Sequence, residues 1–181
     1  MKTTTLKFAS ISHYQPGALS ALIHKSYAGL IQECPEYWEQ EGKKWDDFDR
    51  QSFAHPDTIG KCVFVSCLDD QSIGLASYDP RHGPRYGLIG QNCVLPEYRG
   101  RGFGKQQILE ILGRFGESQT SAARVSTSEH PFFMPAQKMY QSLGFKETRR
   151  FVGGPDPRYK VIELEIDLLT PQGGTSPFER R

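Results

Sequence analysis

Cysteine is sparse in this 181-residue chain: Cys34, Cys62, Cys67 and Cys93 are scattered, and no two form a CxxC pair. With no histidine spaced beside them as a ligand would be, a zinc finger or redox motif is excluded. Four isolated thiols fit small buried hydrophobes in a reduced, cytoplasmic protein. No metal site is expected. Long apolar runs are missing too. None approaches the roughly 20 residues of a membrane span, and the opening Met1-Lys2-Thr3-Thr4-Thr5 lacks the apolar core of a signal peptide. A charge excess is equally absent. Twenty-two basic and twenty-one acidic residues give a net charge of +1, so no global field selects nucleic acid or an anionic membrane. There is no internal repeat. The length suits a single domain over residues 1–169, and the Pro-, Gly- and Ser-containing tail at 170–181 is expected to be disordered.

What is present is an alternation of helical and strand-like periods. Leu6 to Ile11 reads as a first strand. Pro16 opens a helix through about Leu30, with Leu19, Leu22, Ile23, Ser26, Tyr27 and Leu30 at helical spacing. A more polar helix follows Pro35 and ends near His55-Pro56. Cys62 to Leu68 and Ile73 to Tyr78 read as strands joined by an Asp69-Asp70-Gln71-Ser72 turn, and a strand from about Tyr86 to Leu95 follows the turn at Asp79–Pro84. A helix from Gly104 to about Phe115 places Ile108, Leu109, Ile111, Leu112 and Phe115 on one face. A strand at Ala123–Thr127, a helix at Pro135–Leu143 stopped by Gly144, and strands at Lys146–Val152 and Tyr159–Leu168 complete the chain. Tyr86–Thr127 is a strand–helix–strand unit and should make a right-handed crossover between parallel strands. The fold class predicted is α/β, a mixed and mostly antiparallel sheet with helices on both faces.

The densest chemical signal lies where the Tyr86–Leu95 strand gives way to a helix: Arg99-Gly100-Arg101-Gly102-Phe103-Gly104-Lys105. A helix N-terminus presents unpaired N–H groups and about half a positive charge, and together these bind phosphate. Three glycines remove side chains that would hold an anion away from the backbone, and Arg99, Arg101 and Lys105 add positive charge. Two common nucleotide cradles fail on spacing. The P-loop needs Ser or Thr after its lysine, where Gln106 stands, and the third glycine comes one residue early for GxGxxG.

Val94-Leu95-Pro96-Glu97-Tyr98-Arg99-Gly100-Arg101-Gly102-Phe103-Gly104 resembles the acetyl-CoA-binding motif of the Gcn5-related N-acetyltransferases, R/Q-x-x-G-x-G/A. A second family pattern, A-x-x-L/F-Y-x-x-x-G-F, is matched by Ala136 through Phe145, with Met139 in place of Leu and with Tyr140, Gly144 and Phe145 in register. The two motifs in this order extend the resemblance over about residues 6–168. It implies the acyl-CoA N-acyltransferase fold, acetyl-CoA as co-substrate, and pyrophosphate bound by Arg99, Gly100, Arg101, Gly102, Phe103, Gly104 and Lys105. The pantetheine arm would run along Asn92, Cys93 and Val94. It further implies direct attack of an amine on the thioester in a ternary complex, the N–H of Val94 or Leu95 as oxyanion donor, and Tyr140 as the general acid that protonates the departing thiolate.

The resemblance is incomplete at the base. Relatives often carry Glu on the strand before the loop, but Gly90-Gln91-Asn92-Cys93-Val94 has no carboxylate. Glu129 is the expected general base, with His130 beside it as the other titratable candidate; a water chain, or an amine that arrives neutral, would serve instead. Phe133 stands where relatives carry Asn. The acceptor is expected to be a small-molecule or peptide amine. The stretch Glu33–Asp49, with seven carboxylates, two lysines and both tryptophans, would suit a cation, although Trp38, Trp45, Phe48 and Ser52 also share a helical face that a core would use. A non-catalytic acyl-CoA-binding or regulatory module on the same fold is the alternative. No nucleic acid and no membrane is expected as a partner, and the protein is expected to be a monomer or homodimer.

Overall fold

The computed structural model describes residues 5–168. The tail expected to be disordered lies outside the described residues. Seven strands, β1 (Leu6–Ser10), β2 (Val63–Leu68), β3 (Gln71–Asp79), β4 (Gly87–Val94), β5 (Ala122–Ser128), β6 (Lys146–Val152) and β7 (Lys160–Asp167), form one sheet in the order β1-β2-β3-β4-β5-β7-β6. Among the described pairings β4–β5 is parallel, and β1–β2, β2–β3, β5–β7 and β6–β7 are antiparallel. The chain divides into two compact units, one comprising residues up to Ser77 with Gln91–Gly104, the other Tyr78–Gly90 with the residues from Lys105 onward.

In the first unit, β1 (Leu6–Ser10) pairs antiparallel with β2 (Val63–Leu68), and β2 pairs with β3 (Gln71–Asp79). The β2–β3 turn is tighter than the four residues expected. Gln71 already pairs with Leu68, which leaves only Asp69 and Asp70, at φ 48° and 66°. Two left-handed residues in succession twist a hairpin the way its strands twist, and aspartate tolerates that conformation.

Helix α1 (Ala18–Glu33) begins after Gly17 rather than at Pro16, and α2 (Pro35–Ala54) starts on its proline. The start of α1 is fixed from 30 residues away. Asp49, buried on α2, accepts hydrogen bonds from the N–H groups of Gly17 (2.7 Å), Leu19 (2.9 Å) and Ser20 (3.1 Å). A carboxylate there satisfies orphan donors and meets the positive end of the helix dipole. Asp49→Ala is expected to cost about 2–3 kcal/mol, read as a lower denaturant midpoint at unchanged slope. Leu19, Ile23 and Trp45 join Val63, Val65, Leu75 and Cys93 in the core of this unit, with Tyr27 and Phe48 packed against it. Trp38 and Trp45 are both buried, so the aromatic face of α2 is core, and its outward carboxylates are a solvated face.

In the second unit, β4 (Gly87–Val94, of which Gly87–Gly90 lie here) pairs in parallel with β5 (Ala122–Ser128) through Gly87↔Ala123 and Leu88↔Arg124. β7 (Lys160–Asp167) runs antiparallel to β5 along its length and to β6 (Lys146–Val152). Between β4 and β5 comes α3 (Phe103–Glu117), the expected crossover helix. Its buried side chains include Gln107, Ile108, Ile111, Leu112 and Phe115, while Leu109 is exposed, against expectation. At 100° per residue, 107, 108, 111, 112 and 115 span one stripe and 109 falls outside it. Phe115 occupies the space over Gly87, where a Cβ would come within 2.3 Å of the ring. Helix α4 (Met134–Ser142) follows β5 and a short 3-10 turn at Pro131–Phe133.

Candidate active site

The glycine loop belongs to the first unit. A 3-10 turn at Pro96–Tyr98 leaves β4, and α3 begins at Phe103. Gly100 and Gly102 sit at φ 72° and 81°, a left-handed conformation that costs an L side chain roughly 1–2 kcal/mol. A Cβ at either would meet nothing within 4 Å. Dihedral demand, not crowding, therefore requires glycine, and the space above both residues is open. No acidic residue occupies the first turn of α3, so its N–H groups face no carboxylate of their own turn. Phe103 anchors the loop by packing with Leu68 and Ile73, and the Tyr98 hydroxyl donates to Gln71 at 2.7 Å.

The three basic residues differ in use. The Arg101 guanidinium lies 5.1 Å from the Phe103 ring centroid and 5.7 Å from that of Tyr98, and the residue is exposed. Lys105 is exposed in the first turn of α3. Arg99 is exposed as well, but its guanidinium is engaged with the chain: its Nε donates to the Val94 carbonyl at 3.0 Å and its Nη2 to the Ser26 carbonyl of α1. Lys25, next to Ser26, pairs with Glu97 at 3.0 Å.

Behind the loop, the end of β4 is held tightly. The Leu95 N–H donates to the Ile73 carbonyl at 2.8 Å, which removes Leu95 from the two expected oxyanion donors. The Cys93 carbonyl lies against Gly74, where a Cβ would come within 2.2 Å of it. A trans peptide directs the N–H opposite its carbonyl, so the Val94 N–H points away from β3. Asn92 is half-buried and Cys93 is 4% exposed. Burial pushes the Cys93 thiol up, with the Ser26 hydroxyl, the Leu75 backbone and the Arg99 charge pulling the other way. A thiol held neutral makes a poor nucleophile.

The second unit carries the remaining candidates. Tyr140 is 4% exposed on α4, its ring edge-on to Phe145 at 5.4 Å, and burial alone pushes its phenol well above the ordinary tyrosine range. Its hydroxyl has no hydrogen-bond partner among the described residues. Glu129 is committed elsewhere: Oε1 accepts from Arg150, Oε2 accepts from the Lys160 N–H at 3.1 Å, and its own N–H donates to the Lys160 carbonyl at 2.9 Å. The Lys160 N–H and the Arg150 guanidinium hold its carboxyl below the usual range. His130 is buried, with Nδ1 accepting from the Phe132 N–H at 3.1 Å and its ring 4.5 Å from that of Tyr159. The lone pair a base would need is engaged. Phe132 and Phe133 are half-buried, with ring centroids 5.1 Å apart. Asp49, Gly74 and Ser26 carried no signal in the sequence, because each acts on a partner distant along the chain.

Residues 25–145 match the family described as acetyltransferase (GNAT) family. The chain belongs to this family. The match runs from α1 to Phe145, taking in the glycine loop and the whole Ala136–Phe145 motif. Solved structures agree on the GNAT fold. The protein yncA from Salmonella typhimurium, solved with its cofactor acetyl-CoA, is 15% identical with a TM-score of 0.70, covering 96% of this chain and 99% of that one. A GNAT-family protein from Desulfovibrio desulfuricans is 11% identical with a TM-score of 0.70, covering 91% and 99%. The ribosomal-protein-S18-alanine N-acetyltransferase from Escherichia coli is 15% identical with a TM-score of 0.54, covering 69% and 81%. No curated protein gives a significant match to the chain. Among the described residues, no helix of this GNAT chain is long and apolar enough to cross a membrane.

Proposed function

We propose that this chain is an acetyl-CoA-dependent N-acetyltransferase that passes the acetyl group directly to a small-molecule or peptide amine in a ternary complex. The observation that carries the reading is the loop: two left-handed glycines with open space above them lead into a helix start that holds no carboxylate. Backbone N–H groups from Arg101 to Lys105, with the Arg101 and Lys105 cations beside them, suit the pyrophosphate of coenzyme A. Asn92, Cys93 and Val94 would flank the pantetheine arm. Bound acetyl-CoA supplies a thioester carbonyl as electrophile.

The chain's own groups then have separate tasks. The Val94 N–H serves as oxyanion donor, since the Leu95 N–H is spent on Ile73. Tyr140 serves as general acid: a buried phenol with no partner among the described residues has a proton to donate, and burial keeps that proton in place. A raised phenol pKa means the acid form persists as pH rises, so turnover should show no Tyr140-dependent fall below about pH 10. A pH profile of kcat reads this directly.

Glu129 is a weak base while Arg150 and Lys160 hold it, and we assign amine deprotonation to water or to amine that arrives neutral. Glu129→Gln is accordingly expected to change kcat by less than about threefold, where removing a true general base costs roughly 10²–10⁴-fold. The same engaged carboxylate favours a second reading, a coenzyme A-binding module without turnover. Release of free coenzyme A thiol over a panel of amines separates the two: amine-dependent release supports the transferase, and saturable binding with no release on any amine supports the module.

A further inference from the structure

Of the three cations in the glycine loop, one does a different job from the others. Arg99 spends Nε on the Val94 carbonyl at 3.0 Å and Nη2 on the Ser26 carbonyl, so a single planar group ties the end of β4 to the middle of α1. The Val94–Leu95 peptide is thereby held at both ends, its carbonyl by Arg99 and its N–H by the Ile73 carbonyl at 2.8 Å. The preceding peptide is held as well, with its Cys93 carbonyl seated against Gly74. Ser26 is 1% exposed, and Lys25–Glu97 at 3.0 Å runs a second tie between the same two segments.

We infer that Arg99 is a positioning residue: its guanidinium braces α1 against the end of β4 and so fixes the direction of the Val94 N–H, and it does not act as a phosphate cation. The reason for arginine is geometric. A guanidinium offers donors in a rigid fork that reaches two carbonyls at once, whereas an ammonium is a point charge on a flexible stem. Charge alone therefore does not replace it. Arg101 and Lys105, exposed as Arg99 is but with no hydrogen-bonded carbonyl among the described residues, are left to supply the electrostatic attraction. What the brace serves rests on the acetyl-CoA reading above; its existence does not.

The test compares Arg99→Lys, Arg99→Gln and Arg101→Gln. In ligand-free protein, amide hydrogen exchange at the Leu95 N–H is expected to accelerate by at least about tenfold in both Arg99 variants and to stay at the wild-type rate in Arg101→Gln. Exchange at Val125 in β5 serves as the control for intact folding. With coenzyme A as probe, calorimetric titration across salt concentrations should give Arg99→Lys and Arg99→Gln the wild-type salt dependence, and Arg101→Gln a shallower one. With acetyl-CoA and an accepted amine, both Arg99 variants should lose kcat by about tenfold or more, with little rise in KM for acetyl-CoA.

Wild-type Leu95 exchange in both Arg99 variants would overturn the brace. So would an Arg99→Lys variant that keeps full turnover while Arg99→Gln flattens the salt dependence, which is the signature of a phosphate cation. Should wild-type protein fail to bind coenzyme A, the acetyl-CoA reading falls, and the exchange result still decides the brace on its own.

Discussion

Tyr140→Phe should cut turnover by roughly 10²-fold or more while coenzyme A binds as it does to wild type. The substitution removes one oxygen from a buried ring and leaves the edge-on packing on Phe145 in place. Because the hydroxyl has no hydrogen-bond partner among the described residues, its loss breaks no internal bond, and stability should hold or rise slightly. This separates the catalytic role from a packing one. A core tyrosine converted to phenylalanine would leave kcat unchanged, whereas a general acid leaves its mark on kcat alone. Steady-state kinetics with a coenzyme A titration and a melting curve on the same preparation check all three expectations.

The second large effect is expected at Gly74, on β3. An alanine Cβ there would stand 2.2 Å from the Cys93 carbonyl oxygen, 3.0 Å from the Val94 Cα and 3.1 Å from the Cys93 carbonyl carbon. All three obstacles are backbone, so no side chain can rotate aside. β3 and the end of β4 must separate by an ångström or more, at a cost of about 3 kcal/mol by the measure of overpacked cores. For a chain of this size that corresponds to a fall in Tm of about 6–12 °C. The same shift would misdirect the Val94 N–H, so the folded fraction of Gly74→Ala should also lose kcat. Melting curves, and activity per folded molecule, report the two effects separately.

The glycine loop and the Ala136–Phe145 motif were readable because their chemistry is local. Gly100 and Gly102 are required by the dihedral angles of their own residues, and Tyr140 stands in a contiguous pattern. The strand and helix order was readable for the same reason, through periodicities that need no distant partner. What was not legible is where a residue answers to something far along the chain. Asp49 looked like one more carboxylate on an acidic helix, yet it caps a helix that begins 31 residues earlier. Arg99 read as a phosphate cation; its hydrogen bond to the Ser26 carbonyl, 73 residues away, had no local signal. Glu129 read as a free carboxylate, and the hydrogen bonds it accepts from Arg150 and the Lys160 N–H come from 21 and 31 residues along the chain. Leu109 misled for a smaller reason: an apolar residue between buried ones invites inclusion in the stripe, and only the 100° step puts it outside.

The most direct test of the central claim is a calorimetric titration of coenzyme A into wild-type protein and into Gly102→Val. Valine combines an unfavourable left-handed backbone with a branched side chain over the proposed anion site. Wild type should bind one equivalent with an affinity between about 1 μM and 1 mM, the ordinary range for an enzyme's substrate. Gly102→Val, folded by circular dichroism, should show no saturable heat over the same range. Absence of binding to wild type, or a wild-type isotherm for Gly102→Val, would contradict the account.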